Sequence, residues 1–239
     1  MVKMLCEIAE LITEVPATGG LAPRCRDYLY TGESEAEVVI REERYNPGKY
    51  PENISADQLA YIESGRQFHA FLLEHNGLYL HASAVAKDGK AFLFSGRSGE
   101  GKSTHTRLWQ REFGEDAIVI NDDKPALRCL DGVWYAYGTP WCGKDGINRN
   151  MKLPLAGICF LKQGPRNQIR RLSEQEALER ILGQTIRKLS SLKRLDLLMT
   201  HLDNLITNIP VFELENRPEP EAARLSYNTM RRAAEEMGL

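Results

Sequence analysis

The stretch HASAVAKDGKAFLFSGRSGEGKSTH, residues 81–105, decides how the chain is read. Asp88-Gly89 stands between two apolar runs, a strong hairpin signal. The second run, Ala91-Phe92-Leu93-Phe94, leads through Ser95 into Gly96-Arg97-Ser98-Gly99-Glu100-Gly101-Lys102-Ser103. That octet satisfies Gly-x4-Gly-Lys-Ser/Thr in full, and a chance match in a chain of this length is on the order of one in a hundred. Each part has a physical job. The glycines let the backbone fold around a phosphate and turn its N–H groups inward. Residues 102–113 are expected to be helical and to present their positive N-terminal end to the same anion. Lys102 can neutralise the outer phosphates, and the Ser103 hydroxyl can ligate magnesium. Gly96, Arg97, Ser98, Gly99, Glu100, Gly101, Lys102 and Ser103 are therefore the expected phosphate-binding residues, with Thr104 directly after them.

A loop alone only binds, and phosphoryl transfer also needs a metal site and a group to receive the acceptor's proton. The short apolar run AIVI, residues 117–120, ends in Asn121-Asp122-Asp123. Residues just past the carboxyl end of a strand lie at the ligand crevice of an open sheet. The runs 91–94 and 117–120 would thus deliver their ends to one place. One carboxylate can hold magnesium while the other accepts a hydroxyl proton. The plainer alternative is an Asx-type turn, common after strands. His81, at the far end of the hairpin from its turn, would fall near the start of the loop, where it can tune a carboxylate, bind phosphate or simply pack. Between later strands, Gly138-Thr139-Pro140-Trp141-Cys142-Gly143-Lys144 and Asn148-Arg149-Asn150 form a turn-rich stretch. Lys144 and Arg149 are its candidates for clamping an anionic substrate. Cys142 has no base beside it, so a catalytic thiol is not expected there.

The whole chain sets outer bounds. It has 239 residues, enough for one large domain or two small ones. Apolar residues make up 42% and charged residues 27%, an ordinary globular balance, and a net charge of −2 argues against nucleic acid or an acidic membrane as partner. No apolar run reaches the roughly 18 residues of a membrane helix. Glu7 and Glu10 interrupt the apolar N-terminal stretch, unlike a signal peptide. The five cysteines are odd in number, widely spaced and without a CxxC pair. They read as reduced thiols of a cytoplasmic protein.

Along the chain, residues 1–75 read as short strands followed by a helix. Residues 37–44 (EVVIREER) are a strand candidate. Ser55 and Gln58 are placed as a capping box for a helix over 55–74. Residues 77–85, 90–94, 117–120, 134–137 and 155–161 are strand candidates, with Trp109 and Trp134 in the core. Ser173 and Glu176 form a second capping box. Leu178, Ile181, Leu182 and Leu189 follow it near helical spacing, and Leu192, Leu195, Met199, Leu202 and Ile206 continue in another helix. A strand over 209–214 and an amphipathic helix from about residue 221 complete the reading.

Taken together, His81-Ala82-Ser83-Ala84, FLFSGRSGEGKST, Ile118-Val119-Ile120-Asn121-Asp122-Asp123 and Gly138-Thr139-Pro140-Trp141 resemble the HPr serine kinase/phosphorylase family and its short relatives. These belong to the wider phosphoenolpyruvate-carboxykinase-like P-loop fold. The resemblance spans about 77–165, is loose over 166–220 and hardly touches 1–75. It implies an α/β P-loop domain over 76–239, with a mixed, strongly bent sheet flanked by helices, and a small α+β part over 1–75 packed on it. It implies ATP on residues 96–104, magnesium on Ser103 and Asp122, and a catalytic set of Asp123 as base, His81 beside it, and Lys102. The RGLG-type segment of the bifunctional kinase is replaced by GTPWCGKDG, which implies an acceptor other than HPr. The expected activity is ATP-dependent phosphorylation of a hydroxyl on a peptide, protein or small molecule. A carboxykinase-type enzyme and a non-catalytic nucleotide-binding regulatory module are the alternatives. A homo-oligomer is compatible with all three.

Overall fold

A computed structural model describes residues 3–18, 20–185 and 191–239. The chain opens with an antiparallel hairpin of β1 (Lys3–Ile8) and β2 (Leu11–Pro16), turned by Ala9 and Glu10, both at positive φ. The short β3 (Val38–Val39) pairs parallel with β2. Helix α1 (Ala56–Leu72) starts at the expected capping box, in which Ser55 and Gln58 exchange side-chain and backbone hydrogen bonds.

There follow β4 (Gly77–Tyr79), β5 (Ala82–Lys87), β6 (Lys90–Ser95), α2 (Lys102–Phe113), β7 (Ile118–Asn121), β8 (Ala126–Leu130), β9 (Val133–Tyr137) and β10 (Lys152–Gln163). The chain ends with β11 (Gln168–Arg171), α3 (Glu174–Leu182), α4 (Leu192–Asn208), β12 (Val211–Asn216) and α5 (Pro220–Glu236). Nine strands form one mixed sheet in the order β4-β8-β9-β10-β6-β5-β7, with β12 on β10 and β11 on β12. The long β10 pairs β9 antiparallel through its first three residues and β12 parallel through its last six. Its register against β6 shifts between Leu155 and Gly157. That irregularity and the change of neighbour curl the sheet into an open half-barrel.

Side chains alternate across the sheet as the pleat requires. Ala84, Ala91 and Leu93 face a core completed by α3 and α4, through Ile181, Leu198 and Leu202. Val85, Phe92 and Phe94 face a second core under α2 and α5, built on Trp109 and Met230. A third apolar cluster joins Ile8, Tyr28 and Phe68 of the first segment to Ala126, Tyr137 and Trp141 of the sheet region. The N-terminal segment is therefore docked by shared apolar burial, the dominant favourable term in packing.

Several elements differ from the sequence reading. The strand expected over 37–44 stops at Val39, because the Arg41 N–H donates to the Gln67 side chain and Glu42–Arg44 turns into a 3-10 helix. The run 77–85 divides into β4 and β5. At the break the His81 N–H donates to the Gln184 carbonyl, and the two halves pair different neighbours. β8 (ALRCL) and β11 (QIRR) lacked a strand signal: the first has no β-branched residue, and three of the second's four residues are polar or charged. Trp109 and Trp134 are buried as expected. Leu189 lies outside the described residues. Among those residues, no helix is long and apolar enough to cross a membrane.

Candidate active site

Strands β6 and β7 both run antiparallel to β5, so they run parallel to each other and end on one side of the sheet. The glycine-rich loop leaves β6, and the aspartate pair follows β7. Ser98, Gly99, Gly101, Lys102, Ser103 and Thr104 line a cleft of about 590 Å³ together with Arg107, Asp122, Asp123, Gly143, Lys144 and Asp145. Gly101 caps α2 at φ 95°, a conformation only glycine adopts without strain, and the first turn of α2 carries no acidic residue. The helix's positive end therefore reaches the cleft without a neighbouring carboxylate on its own first turn.

Of the predicted loop residues, Gly96, Arg97 and Glu100 do not line the cleft, and Lys102 rests on its own loop. The Lys102 ammonium donates to the carbonyls of Gly96 (2.9 Å) and Arg97 (3.3 Å). Burial lowers its pKa, opposed by Asp123 and Glu100. The Glu100 carboxylate accepts from the Arg97 N–H and lies on the far side of the loop. There a second hollow, about 930 Å³, is lined by Gly101, Thr104, Gln163, Asn216 and Arg217 among others. Gln163 at the end of β10 holds the loop by donating to the Gly99 carbonyl at 2.8 Å.

The aspartates are fixed by a buried asparagine. The Asn121 side-chain oxygen accepts from the N–H groups of Asp123 (2.9 Å) and Lys124 (2.7 Å). Its amide nitrogen donates to the Thr139 carbonyl at 3.0 Å. An Asx turn does exist here, but it is Asn121 that makes it, which leaves both aspartate carboxylates for the cleft. The Gly143 N–H donates to one Asp122 oxygen, so the segment after β9 holds that carboxylate directly. Burial, then the charges of Asp123 and Asp145, push the Asp122 carboxyl above its usual range, against the Gly143 bond.

Asp123 behaves oppositely. Burial would raise it, but His81 Nε2 at 3.0 Å and the Lys124 ammonium at 2.6 Å hold its carboxyl well below the usual range. The His81 ring is fixed on its other side by Gln184, 3.0 Å from Nδ1, and its carbonyl accepts from the Ser95 hydroxyl at 2.8 Å. His81 thus stands behind Asp123 at the start of the loop, where the hairpin register placed it.

Of the two anion-clamp candidates, Lys144 lines the cleft. Arg149 is exposed and serves through its backbone: its N–H donates to Ile120, and its carbonyl lies where a Gly138 Cβ would stand. Cys142 is buried, and burial pushes its thiol up to about 11, far from a reactive thiolate. The sequence reading missed Arg107 and Lys124. Arg107 lies one helical turn beyond Ser103 and pairs with Asp145 at 2.7 Å, a spacing that could have revealed it. Lys124 simply follows the aspartates.

The sequence model of the family "ScmC: SynChlorMet cassette protein ScmC" matches residues 59–216. The chain belongs to that family. Every residue lining the cleft falls inside the matched span. Among solved structures, the Hpr(Ser) kinase/phosphatase from Coxiella burnetii is similar over 67% of this chain and 99% of that one, at 13% identity and a TM-score of 0.39. A likeness of that size adds no weight to the geometry. No curated protein matches the chain.

Proposed function

We propose that this chain is an ATP-dependent phosphotransferase that moves a phosphoryl group to a hydroxyl of a peptide, protein or small molecule. One observation carries the reading: loop residues 98, 99 and 101–104 line a single cleft together with Asp122 and Asp123. The loop amides and the end of α2 bind the phosphates. Lys102 leaves the loop carbonyls to meet the outer phosphate. The nucleoside extends past Thr104 into the larger hollow beside Gln163 and Asn216.

The residues fit magnesium. Asp122 is a largely buried carboxylate with a raised pKa, and the exposed Ser103 hydroxyl shares its cleft. Magnesium takes one or two such oxygens and completes its shell with phosphate and water. When bound, it would neutralise charge on the transferring phosphate. Asp123 accepts the hydrogen bond of the acceptor hydroxyl and orients it in line. His81 and Lys124 keep that carboxylate ionised and aimed, and Lys144 faces the acceptor side.

Transfer of labelled phosphate from ATP to an acceptor pool tests the reading. Wild-type protein incorporates label with magnesium present, and Lys102→Ala and Asp123→Asn lose at least a hundredfold of it. Incorporation unchanged in Asp123→Asn removes the base assignment. Tight ATP binding without turnover on any acceptor would favour the regulatory-module reading instead.

A further inference from the structure

The cleft continues. Asp123, Gly143 and Lys144 also line an adjoining hollow of about 400 Å³, whose other walls include Arg24 and Tyr61. Tyr61 in turn walls a third pocket of about 200 Å³ between α1 and Trp141. Three spaces therefore neighbour one another through shared walls, from the glycine-rich loop to a ring-lined end. Lys124 ties the ends together: its ammonium is 2.6 Å from Asp123, 5.9 Å from the Tyr61 ring centre, and its side chain lines the end pocket. At about 3.3 Å per extended residue, the steps of 2.6 Å and 5.9 Å through the Lys124 ammonium put the Tyr61 wall at most two or three residues from the carboxylate.

The end pocket is built of rings. Tyr79 stacks on His69 with centroids 4.1 Å apart, and Trp141 meets His69 edge-on at 5.8 Å. Gly65 lets α1 approach, because a Cβ there would stand 2.8 Å from the Trp141 ring. The space is below the 300–1,000 Å³ range of drug-sized sites and suits one aromatic side chain, with a cation at its rim. His69 is 3% exposed, and its Nε2 has no hydrogen-bond partner among the described residues. That atom is closed off from the pocket; a ring with a polar edge, a phenol or an indole, suits the mix of rings and of the Arg66 and Lys124 side chains that line it. In the middle hollow, Arg24 stacks on Tyr61 at 4.6 Å, and neither Arg24 nor Lys144 has a carboxylate within ion-pair distance among the described residues. Asp57 and Asp123 line the same hollow, so an acidic group on the occupant is complemented where it lies against Arg24 and Lys144.

We propose that this trough is the acceptor site and that its occupant is a peptide. In it the acceptor hydroxyl residue lies within two or three positions of a tyrosine or tryptophan, with an acidic residue nearby. The aromatic ring fills the Tyr61–His69–Trp141 pocket, the acid meets Arg24 and Lys144, and the hydroxyl comes to Asp123. The inference rests on the phosphotransferase reading.

The test uses the full chain, labelled ATP with magnesium, and a degenerate peptide pool with a fixed central serine. Binding of mant-ATP, measured in parallel, reports the fold and the nucleotide site. The expected result is at least tenfold enrichment of Tyr or Trp within three positions of the serine, with Asp or Glu beside it. In Ile62→Glu, at the half-exposed rim of the ring pocket, that preference falls at least tenfold. In Arg24→Glu the acidic preference is lost and the aromatic one remains. Uniform selection, an aromatic preference unchanged in Ile62→Glu, or label reaching only non-peptide hydroxyls overturns the proposal. So does mant-ATP binding with no incorporation into any peptide. Absence of mant-ATP binding overturns the phosphotransferase reading beneath it, a distinguishable result.

Discussion

Moving the protein from pH 7 to pH 5 should cost it a large part of its stability, through two histidines that the fold keeps neutral. His69 and His105 are 3% and 0% exposed. Burial takes each pKa down to about 3, helped at His69 by Lys124 and opposed by Asp123. An unfolded histidine titrates near 6.5. Above that pH neither state binds the proton. Below it only the unfolded chain does, so stability is complete above about pH 7 and is lost as pH falls toward 3. Each histidine contributes about 1.4 kcal/mol per pH unit in that window, hence about 3 kcal/mol per unit for the pair near pH 5. Integrated from pH 7 to 5 the loss is about 4 kcal/mol, a large share of a typical 5–15 kcal/mol. Asp122, whose pKa is raised, titrates in the opposite sense by one proton at most. Asp123 and Glu63, held low, add their losses only at more acid pH. Urea unfolding followed by circular dichroism at pH 7, 6 and 5 measures the slope. Substitution His69→Phe keeps a ring on Tyr79, removes one titrating group and halves that slope. An unchanged slope in His69→Phe would show that the buried neutral histidine is not the source.

Other expectations follow from single contacts. The buried Ser226 hydroxyl bonds both the Trp109 indole N–H (3.0 Å) and His105 Nε2 (3.1 Å), so Ser226→Ala strands both and costs about 2–4 kcal/mol in urea unfolding. A Cβ at Gly143 would stand 2.8 Å from an Asp122 carboxylate oxygen. Gly143→Ala should therefore raise the magnesium concentration for half-maximal transfer severalfold with little change in thermal midpoint; an unchanged magnesium dependence refutes the Asp122 metal role. Gln184→Leu frees the His81 ring, whose partner on that side is the Gln184 oxygen at 3.0 Å. It should lower kcat about tenfold at constant KM for ATP, and a change confined to KM would argue that His81 belongs to nucleotide binding.

Local signals were enough for much of this protein. Asp88-Gly89 between apolar runs requires two residues at positive φ, and both have it. The two serine-led capping boxes and the helix after the glycine loop are likewise written in adjacent residues. The loop, the aspartate pair and the hairpin were legible because period, turn chemistry and spacing act within a dozen residues. What the sequence left open were matters of long-range pairing: that Asn121 and not an aspartate makes the turn after β7, that Gly143 reaches Asp122 across 21 residues, and that Lys102 rests on its own loop. Only the curled sheet brings Arg24 and Tyr61 of the first segment against Asp123 and Lys144, because their contact depends on apolar burial shared across more than a hundred residues, which no local pattern encodes.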